Sequence, residues 1–533
     1  MNDIRGELLR KLASVSKALA TPGIRQLAEE YGEGLVKLQL RQLLEEWRSE
    51  VLSGKRKHLP GIEATGELVR ERVVRFSPPG RMAINATGVL LHTGLGRAVL
   101  PDDAVEALRT MNRYAIVQIC LDSGGRSKRD EKIEEMLIEL TGCEAATVVN
   151  NNAAATMIAL NAVAQGKEVI VSRGQLVEIG GSYRMPDVMA RSGCFLAEVG
   201  TTNRTHLKDY QAAITASTGA ICHVHTSNYR IRGFTGTPSI EELGVLAKQA
   251  NLPLIDDLGS GALIPLNRYG ISSEPMIADS IRAGSDLICC SGDKLIGGPQ
   301  AGIILGKREW IDRIRDNPYA RMFRVCKLTY AALETTLAHF LNGTYEMAIP
   351  FYRQLATPME TLHVRAETLA ERCRRLRVIE VAVQEDVSFI GSGSIPDEGI
   401  ASWTVRLTPP AGSMREDGHI VRSVVGLAHA LRHAIPSVFT RIEQNALVFD
   451  MRSLLHDAEL EQLGDVLERT IAKVLGVPAG TLSPDVRSAT TAADEAPAEH
   501  AKATEPKPAT AGHDLEVPAT EQEPTSASPA AAP

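Results

Sequence analysis

The run DLICCSGDKLIGGPQAG places Lys294 directly after an apolar, strand-like stretch and between a Ser-Gly pair and a glycine-rich turn. A lysine condenses with an aldehyde only when its amine is neutral. Partial burial lowers the amine's pKa, and neighbouring glycines admit a bulky partner. Taken alone, the pattern also suits an ordinary surface loop, so its weight depends on three other segments.

Upstream, ATVVNNNAAATMIALNAVAQG reads as a short strand entering an Asn-rich turn that opens an alanine-rich helix. The free N–H groups and positive dipole end of such a helix suit a phosphate, with Asn151 and Asn152 as candidate contacts. Ser291, three residues before Lys294, can add its hydroxyl to the same phosphate, or simply form the turn. The strand LPLIDDLGSG offers Asp256 and Asp257. Consecutive strand residues face opposite sides of a sheet, so one of the two can meet a ring nitrogen, and Asp257, next to the LGSG turn, is better placed. A further strand end, CHVHTSNYRIRGFTG, supplies His225 for ring contact and Asn228 for a phenolic oxygen. Phosphate helix, ring-contact strand, acidic strand and then lysine is the order found in fold-type I enzymes of pyridoxal 5'-phosphate (PLP). The pyridine nitrogen of that cofactor needs an anion to stay protonated and act as an electron sink. Lys294 is thus expected to carry PLP as a Schiff base.

The elements that must position these residues follow from the patterning. Between about residues 81 and 306, short apolar runs such as ATVV, EVIVS, AICHVHT, LPLIDD and DLICCS alternate with helical segments and Gly-rich turns. That alternation predicts crossover units and a mostly parallel sheet between helices. Residues 1–75 carry apolar positions at helical spacing, and SGKRKHLPG reads as a helix stop followed by an exposed basic turn. Beyond Ile349, VRAETLAERCRRL, SWTVRLTPP and ALVFDMRSLL alternate helix and strand signals. The expected fold class is α/β: a PLP-binding catalytic domain over 76–350, an N-terminal helical region over 1–75 and a smaller C-terminal α+β domain over 351–482. Residues 483–533, rich in Ala, Pro, Glu and Thr, are expected to form a disordered acidic tail.

Composition fits a soluble enzyme: 533 residues, 44% hydrophobic and 23% charged. Eight cysteines without CxxC or Cys/His ligand spacing point to a reducing cytoplasm and no structural metal. The N-terminus lacks the apolar core of a signal peptide, and no run is long enough for a membrane span. Net charge is -7, but it is unevenly spread. Residues 1–75 hold 14 Lys and Arg against 11 Asp and Glu, a balance of +3, whereas residues 484–533 hold 3 against 9, a balance of -6. The acidic tail therefore hides a mildly basic front.

INATGVLLHTGLGRAVL, VVNNNAAAT, VSRGQLVEIGGSYRMPDVM, EVGTTNRTHLKDY, VHTSNYRIRGF, DDLGSG and SGDKLIGGPQAGIILG together resemble the bacterial selenocysteine synthase family, the L-seryl-tRNA(Sec) selenium transferases. The likeness spans roughly residues 5–475. It implies conversion of seryl-tRNA(Sec) to selenocysteinyl-tRNA(Sec) by β-replacement of the serine hydroxyl with selenium from selenophosphate, through an aminoacrylyl-tRNA intermediate. Lys294, once displaced from the cofactor, would act as the base. The resemblance also marks Arg97, Arg321 and Arg324 as oxyanion-binding arginines, suited to bidentate contacts. The i, i+3 spacing of the last two would place both on one helix face. Asp293, adjacent to Lys294, matches a family position near the reacting centre, from which it could help orient or protonate the leaving hydroxyl. One departure is Gly94 in HTGLGR, where the family pattern has an asparagine. Family membership further implies tRNA recognition by residues 1–75 and a homo-oligomeric ring of dimers, commonly ten subunits. Two other readings compete: a related PLP-dependent lyase or transferase for a small amino-acid substrate, and a catalytically lapsed tRNA-binding protein. The retained N-terminal region argues against the first, and intact Lys294 and arginines against the second.

Overall fold

The computed structural model describes residues 2–76, 82–180, 183–272, 274–391, 398–410 and 423–476. The tail expected over 483–533 lies outside them. The strands are β1 (Ala83–Ala86), β2 (Ala145–Val149), β3 (Glu168–Ser172), β4 (Glu178–Ile179), β5 (Tyr183–Arg184), β6 (Phe195–Val199) and β7 (Thr218–Val224). They continue with β8 (Leu254–Gly259), β9 (Leu287–Ser291), β10 (Gly302–Gly306), β11 (Glu380–Ser388), β12 (Ile400–Thr408), β13 (Ser437–Glu443) and β14 (Ala446–Asp450).

Seven of them form the large sheet, in the order β2-β10-β9-β8-β7-β3-β6. Every neighbouring pair is parallel except the two that involve β10. β2, β9 and β10 are buried along their whole length, which explains their unbroken apolar spelling AATVV, LICCS and GIILG: helices cover both faces of the sheet. Side chains alternate between two cores. Ile288, Cys290, Ile303 and Leu305 enter one, while Leu287, Cys289 and Ile304 enter the other, as the two-residue strand period requires. Because β7, β8 and β9 run parallel, their carboxyl ends all emerge along one edge, where the loops that follow can build a site.

The second sheet has the order β1-β13-β14-β12-β11. Helices Met359–Arg375, Val424–His433 and Asp457–Leu475 cover it, around a core that includes Leu369, Leu431, Phe449 and Leu467. Residues 83–86, expected within the catalytic domain, pair parallel with β13 instead and bury Ile84 and Ala86 in this core. The smaller unit is therefore built from both sides of the large sheet in sequence.

A buried polar cluster joins the two units. The Asp450 carboxylate accepts the Ser402 hydroxyl at 2.7 Å, the Ser388 hydroxyl at 2.9 Å and the Arg452 N–H at 2.9 Å. The Arg452 guanidinium in turn donates to the carbonyls of Gln354, Leu355, Thr357 and Ala401, tying the helix Pro350–Ala356 to the sheet.

Helices Pro22–Tyr31, Glu33–Leu52 and Ile62–Phe76 make the N-terminal region, with its own core of Ile24, Leu27, Val36, Leu40, Leu43, Trp47, Val69 and Val73. In the basic turn, Arg56 is not free: it pairs with Glu50 at 2.6 Å and lies 5.1 Å over the Trp47 ring. Lys55 and Lys57 remain exposed.

Candidate active site

Lys294 lies in the turn after β9 and is only 7% exposed. Burial pushes its amine below the ordinary lysine range, and the Arg97 guanidinium adds to the effect, while Asp257 and Asp293 pull the other way. Gly297 sits in the same turn with φ +72°. A Cβ there would lie 2.4 Å from Ile349 Cγ2, so the tight path around the lysine requires glycine.

Asn151 caps the helix Asn152–Ala164, its side chain accepting the Ala154 N–H at 2.9 Å. Asn152 Nδ2 donates to Asp257 Oδ1 at 2.8 Å, and the Thr156 hydroxyl reaches Asp257 Oδ2 at 3.0 Å. Burial raises the Asp257 pKa against the lowering effect of these two hydrogen bonds. Asp256 serves another partner, His223, whose Nδ1 lies 2.8 Å from Oδ1. The two aspartates therefore part, as strand alternation requires, and Asp257 is the one associated with the phosphate helix and Lys294.

At the end of β7, the His225 N–H donates to the Asp257 carbonyl at 2.9 Å. Ser227 is buried nearby: a Cβ on Gly259 would lie 3.9 Å from Lys294 Nζ and 4.0 Å from Ser227 Oγ. Asn228 gives its amide to the Glu178 carbonyl at 2.9 Å, and its Oδ1 is buried without a partner among the described residues.

Asp293 is the hub beside the lysine. It accepts Arg97 Nη1 at 2.9 Å and the Ser291 hydroxyl at 2.6 Å. Arg97 holds this position with φ +65°, a left-handed conformation that costs a non-glycine residue energy and tends to persist at functional sites. It lines a cavity of about 650 Å³ together with His92, Gly94, Phe351 and Gln354.

Arg321 and Arg324 lie elsewhere on this chain. They line a separate cavity of about 290 Å³ with Lys128, Arg129 and Arg315. Their expected shared helix face is not found, because the helix Pro318–Met322 stops before Arg324. The cause is local: the Phe323 carbonyl accepts the Asn150 N–H at 2.8 Å, and Arg324 bridges Val149 on the β2 edge.

Sequence reasoning did not single out Thr156, Ser227, Tyr183 or Glu274. Tyr183 lies within the quoted VSRGQLVEIGGSYRMPDVM string and is half-buried, with its phenol pushed up by desolvation and by the Asp257 charge. Among the described residues there is no group of His, Cys, Asp and Glu able to hold a metal, and no helix long and apolar enough to cross a membrane.

Residues 83–455 match the family model described as L-seryl-tRNA selenium transferase. The L-seryl-tRNA(Sec) selenium transferase of Carboxydothermus hydrogenoformans is 40% identical over 466 residues, covering 87% of this chain and 98% of that protein. The protein of the same name from Methylocella silvestris is 42% identical over 459 residues, covering 84% and 95%. Among solved structures, D-glucosaminate-6-phosphate ammonia-lyase superposes with a TM-score of 0.53 at 18% identity, covering 74% of this chain and 97% of that one. This last likeness carries the fold alone, the fold-type I architecture that the motif order predicts. On the family match and on relatives similar over nearly their whole lengths, the chain belongs to the L-seryl-tRNA selenium transferase family.

Proposed function

We propose that Lys294 holds pyridoxal 5'-phosphate and that the chain uses it to replace the serine hydroxyl of seryl-tRNA(Sec) with selenium from selenophosphate. As a member of its family the protein converts seryl-tRNA(Sec) to selenocysteinyl-tRNA(Sec). The observation that carries the cofactor assignment is a buried lysine, its amine shifted toward neutrality, within electrostatic reach of the buried carboxylate of Asp257.

The surrounding residues fit the group. The N-terminus of the helix Asn152–Ala164, with Asn151 and Asn152, suits its phosphate. Asp257 suits the pyridine nitrogen and His225 the ring. Two buried amide oxygens, Asn152 Oδ1 and Asn228 Oδ1, lack partners among the described residues and are available to a polar ligand that donates a hydrogen bond. Asn228 is assigned to the phenolic oxygen and Ser291 to the phosphate, the latter requiring its hydroxyl to turn from Asp293. When bound, the cofactor supplies an electron sink for breaking bonds at the serine Cα.

The protein's own groups do the rest. The Lys294 amine, once free, removes the Cα proton. Asp293, anchored by Arg97, orients the departing hydroxyl, which leaves as water with the proton that Lys294 took from Cα. Arg97 binds the oxyanion of selenophosphate beside Lys294; Arg321 and Arg324, which line the separate cavity of this chain, reach the same oxyanion only where a second subunit brings them to it. The N-terminal helical region, with Lys55 and Lys57 exposed, recognises the tRNA, which supports the tRNA substrate over a small amino acid. The enzyme works in the cytoplasm as a homo-oligomeric ring of dimers, ten subunits on the family resemblance. Exposed Tyr114, Ile116, Leu121 and Phe234 support assembly, since apolar side chains of this size gain from being covered.

Borohydride reduction followed by peptide mass mapping tests the cofactor assignment. A reduced PLP adduct on Lys294 is expected. An adduct on another lysine, or on none, would overturn it.

A further inference from the structure

Near Lys294 lies a carboxylate to which the reaction, as described, gives no task. Glu274 sits between the short helix Asn267–Tyr269 and the helix Ile277–Arg282, outside every motif quoted above. Its side chain is 1% exposed. One oxygen, Oε1, accepts the hydroxyl of Ser260, the residue that follows the end of β8. The other, Oε2, is buried without a hydrogen-bond partner among the described residues, and His225 Nε2 stands 3.7 Å from it.

A buried carboxylate oxygen without a donor has lost its water and gained nothing in return. Closing the gap to His225 takes a ring shift of roughly 0.7 Å to reach ordinary N–H···O length. Hydrogen bonds of this kind are often long without ligand and tighten when one binds. The backbone of His225 is already fixed, its N–H on the Asp257 carbonyl and its carbonyl accepting the Ser227 N–H, both at 2.9 Å. What is left undetermined is the plane and tautomer of the imidazole. The neighbouring strand histidine, His223, has its own carboxylate in Asp256 at 2.8 Å, so Glu274 is the counterpart that serves His225.

We propose that Glu274 is a positioning residue: held by Ser260, it accepts the Nε2–H of His225 and so fixes the tautomer and plane of the ring against which the cofactor is seated. The proposal rests on the reading of His225 as the ring contact. Glu274→Gln would keep the contact with Ser260 but turn an amide donor toward Nε2, opposing donor to donor.

The test is a double-mutant cycle on PLP retention, read from the visible absorbance of the lysine-bound cofactor in full-length holoenzyme. Wild type, Glu274→Gln, His225→Ala and the double variant are compared. Glu274→Gln is expected to weaken retention about fivefold in the wild-type background and less than about twofold in the His225→Ala background, the non-additivity of residues in direct contact. Equal losses in both backgrounds, or no loss in the first, would overturn the proposal. Should Glu274→Gln fail to fold, Ser260→Ala, which releases Oε1, carries the same cycle and the same outcomes. A wild type lacking any visible absorbance that Lys294→Ala abolishes would overturn the cofactor reading and the proposal with it. Absorbance with additive losses overturns the proposal alone.

Discussion

At the scale of single residues, the behaviour of Lys294 is set by its neighbours. Burial and the Arg97 cation both favour the neutral amine, the form that condenses with an aldehyde. Removing Arg97 takes away a lowering influence and leaves Asp293 without its partner, and both changes favour the protonated amine. Arg97→Ala should therefore move the midpoint of the pH dependence of cofactor loading upward. Stopped-flow measurement of the rising absorbance across pH checks this, and an unchanged or lower midpoint would contradict it. Lys294, Asp256 and Asp257 were legible because each sits in a string with its own logic: glycines around an amine, and two acids on a strand that cannot face one way. Glu274 was not legible, since a lone glutamate in SSEPM carries no pattern. Its meaning comes only from Ser260 and His225, brought to it by the fold. Arg97 was visible as an arginine, but its hold on Asp293, 196 residues away, was not.

At the scale of elements, the large sheet could be read in advance because buried parallel strands spell continuous apolar runs and the helices between them have a different period. β1 could not. Its four residues pair with β13, some 350 positions later, and nothing local distinguishes AINA from the start of a catalytic core. The same long-range closure explains the weight placed on Arg452, buried at 4% exposure, whose guanidinium gathers carbonyls from the helix Pro350–Ala356 and from β12. Arg452→Ala leaves those carbonyls buried and unpaired, so we expect a loss of about 3 kcal/mol of stability. Urea unfolding followed by circular dichroism measures it, and a change below about 0.5 kcal/mol, the level of a surface substitution, would show that the cluster does not join the two units. The helix end at Met322 gives the converse lesson. The i, i+3 spacing of Arg321 and Arg324 was real, but a backbone bond from Asn150 to Phe323 ended the helix between them.

At the scale of the whole molecule, the helical region over residues 2–76 has its own core, so the tRNA recognition proposed for it can be tested apart from the chemistry. Deleting residues 1–76 should leave the visible absorbance of the bound cofactor intact while abolishing salt-sensitive binding of seryl-tRNA(Sec), measured by filter binding at two ionic strengths. Undiminished binding would place recognition elsewhere. The central claim is that Lys294 both anchors the cofactor and moves the proton that allows selenium to replace the serine hydroxyl. Its most direct test supplies seryl-tRNA(Sec) and selenophosphate to the wild-type enzyme and to Lys294→Ala, and quantifies selenocysteinyl-tRNA(Sec). The account predicts product from the wild type and a rate at least about 10³-fold lower from the variant, within the range for a lost acid–base group. Comparable product from Lys294→Ala, or none from a wild type that carries the cofactor, would contradict it.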